Sequence, residues 1–192
     1  NLINKIEGLV EQREATIGTI KTTYLLCGNG EPVIFLHGAG AGAVTWYPSI
    51  HTISKNFQVL APEIVGYGES DKPDAPYNRP YFSKWLKDFL KELKISKAHI
   101  VGLSQGGAIA LQFAIDNPEM VDKLVLVDAA GLGAKVSFWP LLGMIWMNSF
   151  PSSMASRFNS PYILHKPTNR DPNHIGYSID VLKSKGGKKA FK

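Results

Sequence analysis

Gly102-Leu103-Ser104-Gln105-Gly106-Gly107 is preceded by the apolar run Ala98-His99-Ile100-Val101 and followed by Ala108-Ile109-Ala110-Leu111-Gln112-Phe113-Ala114-Ile115. The spacing predicts a strand that turns sharply into a helix through G-x-S-x-G, the pattern of a nucleophile elbow. Glycines flanking Ser104 remove the Cβ atoms that would clash in so tight a turn. The turn would lift the Ser104 hydroxyl clear of the sheet. It would also aim the first backbone N–H groups of the helix at whatever Ser104 attacks. At ordinary Gly and Ser frequencies the motif alone arises by chance in about one chain of this length in twenty, so its surroundings decide how it is read.

Two more apolar runs end in glycine-rich loops. Pro32-Val33-Ile34-Phe35-Leu36 leads into His37-Gly38-Ala39-Gly40-Ala41-Gly42-Ala43, and Val59-Leu60-Ala61-Pro62 precedes Gly66-Tyr67-Gly68-Glu69-Ser70-Asp71. Wholly apolar runs of this length fit strands covered on both faces. Thr16 to Leu26 reads as two antiparallel strands near Gly18 and Gly28, and Thr45 to Ile53 as a short helix. Tyr81, Phe82, Trp85, Leu86, Phe89, Leu90 and Leu93 recur at helical spacing, which predicts an amphipathic helix laid on a sheet. The elbow helix is predicted to run from Gln105 to Asp116 and to stop at Asn117-Pro118. Strands alternating with helices argue for an α/β protein with a mostly parallel, doubly wound sheet.

Three strand-then-glycine-loop units in this order resemble the α/β-hydrolase superfamily. The resemblance rests on His37-Gly38 after the third strand, Gly66 to Asp71 after the fourth and Gly102 to Gly107 after the fifth. Leu124-Val125-Leu126-Val127-Asp128 looks like the sixth strand, and the likeness covers about residues 14 to 132. It implies an α/β-hydrolase core over residues 1–132 and a helical lid or cap over residues 133–192. It also implies that the sequence stops short of the seventh and eighth strands. In the lid region, Phe138, Trp139, Leu141, Leu142, Met144, Ile145, Trp146 and Met147 form a bulky apolar cluster. Helices are expected to begin near Ser152 and Pro172. Lining a substrate pocket with Trp139 and Trp146 is one use of that cluster, and packing on a core is the other.

Serine needs a base to take its proton, and a histidine oriented by a carboxylate does this best. The superfamily order is Ser, acid, His. Only His165 and His174 follow Ser104, and neither follows a strand-like run. His37 reads as a structural imidazole of the His-Gly turn, and His51 as a surface residue. Asp128, at the end of the sixth strand, stands where some members of the superfamily place their acid. The alternative is a loop-ordering carboxylate. The elbow assigns one oxyanion donor to the backbone of Gln105. The resemblance assigns the other to Ala39. Trp46 follows the small-residue loop and is a candidate pocket wall or core residue.

Composition bounds the remaining choices. At 192 residues, 44% apolar and 10% aromatic, the chain has the size and make-up of one globular domain. The single cysteine, Cys27, can form no internal disulfide, which agrees with a reducing, cytoplasmic setting. The first residues lack the apolar stretch of a signal peptide, and no apolar run is long enough to span a bilayer. The net charge of +5 is carried by Lys183, Lys185, Lys188, Lys189 and Lys192, so the rest of the chain is formally neutral. A basic end of this kind argues against a dedicated nucleic-acid face. No metal or cofactor is expected, and a homo-oligomer is left open.

The expected activity is a serine hydrolase cleaving a small ester, lactone or similar acyl substrate through an acyl-enzyme on Ser104. The glycine-rich elbow is also similar to hydrolases that break a carbon–carbon bond in aromatic ring-cleavage products. That group usually has Asn before the nucleophile, where this chain has Leu103. Dehalogenases and epoxide hydrolases of the superfamily use Asp as nucleophile, which Ser104 disfavours. A non-catalytic hydrolase-fold binding protein is the remaining class.

Overall fold

Strands alternate with helices along the first two thirds of the chain. The computed structural model describes residues 10–133, 137–163, 172–187 and 189–191. An antiparallel hairpin opens it: β1 (Val10–Ile17) and β2 (Ile20–Cys27) pair across the turn at Gly18, from Val10 opposite Cys27 to Ile17 opposite Ile20. β3 (Glu31–Leu36), β4 (Phe57–Pro62), β5 (Ala98–Leu103) and β6 (Val121–Val127) complete one sheet in the order β1-β2-β4-β3-β5-β6. β3 pairs parallel with β4 and β5, and β5 with β6, while β2 meets β4 antiparallel. The mostly parallel sheet expected from the sequence is therefore present. β6 lies at one edge, with Val125 and Val127 exposed.

Alternation along β3 and β4 sends side chains to two cores. Ile34, Leu36 and Leu60 face one core, and Val33, Phe35, Val59 and Ala61 the other. α2 (Arg79–Glu92) and α3 (Gln105–Asp116) cover the first face, contributing Phe82, Trp85, Leu86, Phe89, Ile109 and Phe113. A 3₁₀ turn (Ala43–Trp46) and α1 (Tyr47–Ile53) cover the second through Trp46 and Ile50. α2 begins where Asn78 accepts a hydrogen bond from the Tyr81 N–H at 3.0 Å, and a proline in its first turn fits the fixed φ required there. The Trp85 indole N–H donates to Thr22 Oγ1 at 3.0 Å, which satisfies two buried polar groups and pins α2 to β2. α3 ends at Asn117, with Pro118 opening a short 3₁₀ turn, as the breaker predicts.

After β6 come α4 (Phe138–Ser149), α5 (Ser153–Ile163) and α6 (Pro172–Lys183), then a 3₁₀ turn at Lys189–Phe191. α4 rests on α5, with Gly143 closing onto Asn159 and Trp146 against Phe158. The rest of its apolar surface is turned outward: Phe138, Trp139, Leu141, Leu142, Met144 and Ile145 are all exposed. α6 is different, because Val181 and Leu182 are buried. Tyr177 packs against the core shared by α2 and α3. No helix among the described residues is long and apolar enough to cross a membrane.

Candidate functional site

Ser104 sits between β5 and α3 with φ +50° and ψ −114°. That backbone state is costly for a residue with a side chain and persists only where its surroundings impose it. They do so here. The Ser104 N–H donates to the Val127 carbonyl at 3.0 Å, and its carbonyl accepts from Ala108 at 3.1 Å and Ala130 at 2.9 Å. The glycines of the motif are a packing requirement as well. A Cβ on Gly102 would lie 2.3 Å from the Gly106 carbonyl oxygen, and one on Gly106 would lie 2.3 Å from that of Leu36. A side chain on Gly106 would push the elbow off β3, and one on Gly102 would collide with the first turn of α3.

The hydroxyl of Ser104 faces the loop after β3. A Cβ built on Gly38 would lie 3.4 Å from Ser104 Cβ and 3.9 Å from Oγ, so the backbone beside Ala39 runs directly past the serine. On the other side, the first helical bond of α3 runs from the Ala108 N–H to the Ser104 carbonyl. The N–H groups of Gln105 to Gly107 therefore lie ahead of the helix's own ladder, where the helix dipole favours developing negative charge. Ala39 and Gln105, the two expected donors, are thus carried by the two segments that flank Ser104.

His37 holds the loop from below. Its Nδ1 donates to the Gly38 carbonyl at 2.8 Å, and its Nε2 accepts from the Ile64 N–H at 3.0 Å, which fixes the tautomer. Complete burial pushes its pKa down to about 4. Both nitrogens are engaged and the ring stays neutral, so it is the structural imidazole the sequence predicts. His51 is exposed on α1. His99 stands at the start of β5, its Nε2 3.2 Å from Glu31 and its Nδ1 3.1 Å from Asp122. It stands five positions before Ser104 along the strand, about 16 Å away. His174 lies on α6, and His165 falls outside the described residues. Asp128 is exposed just past β6 with φ +43°, between Val127 and Ala130, which both bond the Ser104 backbone.

The tryptophans separate. Trp46 is 8% exposed and stacks on Phe35 with ring centroids 4.7 Å apart, which makes it part of the core. Trp139 is 55% exposed and lies against Phe138. Trp146 is half-buried against Phe158 of α5. The contacts of α4 are made to α5, and most of its apolar cluster is exposed. An open groove of about 700 Å³ between the β1–β2 turn and α2 is lined by Ile17, Thr19, Tyr81, Lys84 and Trp85. None of the elbow residues borders it.

Glu63 is a residue the sequence reading passed over. It follows β4, is 6% exposed, and its Oε1 accepts from the Ala43 N–H at 3.1 Å and the Tyr177 O–H at 2.6 Å. Burial pushes its pKa up to about 7, against the opposing pull of those two donors. Its signal was an acid in Pro62-Glu63-Ile64, immediately after a strand that points toward the elbow loops. The loop Gly66 to Asp71 proves to be scaffold. Ser70 Oγ donates to the Glu63 carbonyl at 2.6 Å and accepts from the Thr23 N–H at 3.0 Å. At its far end Asp71 is tied to Lys21 by two bonds, of 2.7 Å and 2.9 Å. Above the elbow, the Ala190 carbonyl accepts from Tyr67 Oη at 2.6 Å and Gln105 Nε2 at 3.1 Å. Among the described residues, no group of three or more His, Cys, Asp or Glu side chains could hold a metal ion.

A serine in a strained strand-to-helix turn, on a mostly parallel sheet and beside a small-residue loop, defines a nucleophile-elbow site. The chain belongs to the α/β-hydrolase fold family, whose model matches residues 31–164. It is 35% identical over 146 residues to 2-hydroxy-6-oxo-6-(2'-aminophenyl)hexa-2,4-dienoic acid hydrolase of Metapseudomonas resinovorans, covering 70% of this chain and 50% of that protein. Its structure is similar to that of 2-hydroxy-6-oxo-6-phenylhexa-2,4-dienoate hydrolase from Rhodococcus sp. strain RHA1, with TM-score 0.81 and 26% identity over 94% of this chain and 69% of the other. A carboxylesterase of Bacillus subtilis shares the fold, with TM-score 0.88 at 21% identity, over all of this chain and 67% of that one. The chain spans between 39% and 50% of the length of the curated relatives it matches.

Proposed function

We propose that this chain carries the nucleophile and oxyanion hole of a serine hydrolase acting on a small ester, lactone or similar acyl substrate. The observation that carries the reading is Ser104 held at φ +50° at the head of α3 and against Gly38. Ser104 Oγ attacks the substrate carbonyl while a base takes its proton. The carbonyl oxygen becomes an oxyanion and receives the N–H groups of Ala39 and Gln105. Collapse breaks the bond to the leaving group, which departs with a proton, and leaves an acyl-enzyme on Ser104. Water repeats the sequence and releases the acid. His37 has both ring nitrogens engaged elsewhere and His99 lies about 16 Å from Ser104 along the strand, so the base is assigned to neither. Asp128 is the candidate acid, on a loop bonded to the Ser104 backbone. In this reading the helices after residue 132 form the cap, and the segment at Ala190 lies over the elbow.

The test is covalent. In the full-length protein a fluorophosphonate probe should label Ser104, and Ser104→Ala should abolish both labelling and p-nitrophenyl ester turnover. Label on another residue, or an active Ala variant, would remove Ser104 from the mechanism. A second reading, carbon–carbon hydrolysis of a ring-cleavage product, is favoured by the dienoate hydrolases among the relatives. Leu103 before the nucleophile counts against it. Comparing kcat/KM for a 2-hydroxy-6-oxo-dienoate with that for short p-nitrophenyl esters separates the two.

A further inference from the structure

Resting on that reading, we propose that Glu63 is a positioning residue for the oxyanion loop and that Tyr177 of α6 holds it in place. The loop from Gly38 to Ala43 is fastened at two points, both by residues that immediately follow β4. At its start His37 accepts the Ile64 N–H at 3.0 Å and donates to the Gly38 carbonyl at 2.8 Å. At its end the Ala43 N–H donates to Glu63 Oε1 at 3.1 Å. Between those points lies Ala39, whose N–H is the proposed donor. Small residues leave this stretch few side-chain contacts of its own, so the two anchors set where the Ala39 N–H points.

The second anchor is shared with the region after β6. Tyr177 donates to the same Glu63 Oε1 at 2.6 Å. Its ring also presses on the loop, since a Cβ on Gly42 would lie 2.4 Å from ring atom Cε1 and from the hydroxyl oxygen. Glu63 and Tyr177 are 114 residues apart, and the carboxyl is almost wholly buried. One oxygen thus receives a donor from the loop and a donor from α6, so a displacement of α6 is felt at Ala43. Burying a carboxyl is costly unless it is hydrogen-bonded, and here the only described donors to it are these two. The arrangement makes the oxyanion hole complete only when α6 is seated, which couples the proposed cap to the chemistry. Pre-aligned donors of this kind act on the transition state more than on substrate binding.

The experiment uses the full-length protein and four variants: Tyr177→Phe, Glu63→Leu, Glu63→Gln and Ser104→Ala. Losing a whole oxyanion donor costs about 10²- to 10³-fold in kcat. Glu63→Leu is expected to cost about 100-fold and Tyr177→Phe about tenfold, each with KM changed less than about twofold. Glu63→Gln keeps an oxygen that can accept from both donors, and it should recover most of the activity lost in Glu63→Leu. Hydrogen exchange read on peptides spanning residues 39–45 should speed up about tenfold in Tyr177→Phe. Unchanged exchange, unchanged kcat in Tyr177→Phe, or Glu63→Gln as slow as Glu63→Leu would each overturn the proposal. The last outcome would mean that charge, not position, is what Glu63 supplies. An active Ser104→Ala variant would instead refute the hydrolase reading, while the exchange measurement judges the clamp independently. Should Glu63→Leu fail to fold, Tyr177→Phe, which removes only a hydroxyl, decides alone.

Discussion

Replacing Glu63 with Gln should change the pH dependence of stability in a direction and amount the structure fixes. Burial raises the Glu63 pKa from 4.5 to about 7. The folded state then holds a proton that the unfolded state has released between those values, so stability falls as pH rises through that window. A rise of that size is worth about 3 kcal/mol. His37 acts in the opposite sense. Its pKa is lowered from 6.5 to about 4, so the unfolded state takes up a proton that the folded state refuses. Stability is then lost as pH falls through the same range, again by about 3 kcal/mol. Between pH 4.5 and 6.5 these two neighbours, with His37 Nε2 3.7 Å from Glu63 Oε2, act against each other. In Glu63→Gln the Glu63 contribution is gone and that of His37 remains. Urea denaturation at half-unit steps from pH 4 to 8 reads this directly. The gap between variant and parent should shift by about 3 kcal/mol in the variant's favour between pH 4.5 and pH 8. Any fixed cost of the buried amide cancels in that difference. A gap that stays constant across the range would refute the assignment of Glu63 as a buried carboxyl titrating near neutrality.

Gly106→Ala should destabilise by about 3 kcal/mol or more, because its Cβ would meet the Leu36 carbonyl at 2.3 Å and backbone cannot swing aside as a side-chain tip can; chemical denaturation measures it, and a loss below about 1 kcal/mol would contradict the packing at the elbow. Trp46→Ala should cost about 3 to 5 kcal/mol as a buried core truncation, whereas Trp139→Ala, at 55% exposure, should cost less than about 1 kcal/mol. Melting of the two variants side by side checks both, and equal losses would place Trp139 in a core that the structure does not show.

Much of the scaffold was legible because its signals are local. Glycines at 102, 106 and 107 report a turn too tight for a side chain, and the apolar stripe from Tyr81 to Leu93 reports a helix face with the right period. The end of the elbow helix was legible too, at Asn117-Pro118. Less was legible about direction. The cluster on α4 reads as apolar whichever way it faces, and only the packing of Gly143 on Asn159 shows that Phe138, Trp139 and Ile145 are turned outward. Trp46 fitted a pocket or a core equally until its ring was found on Phe35.

A serine at a strand-to-helix turn, a mostly parallel sheet and a structural role for His37 could all be read along the chain. Each of these follows from neighbours within a few positions, where backbone sterics and hydrophobic period act. The tertiary structure alone decided that Glu63 would be buried, that Ala43 and Tyr177 would share one of its oxygens, and that Ala190 would lie between Tyr67 and Gln105. Those partners are separated by 20 to 123 residues. No local propensity links groups so far apart, and the low dielectric that makes a buried carboxyl depend on its donors exists only once the chain has closed around it.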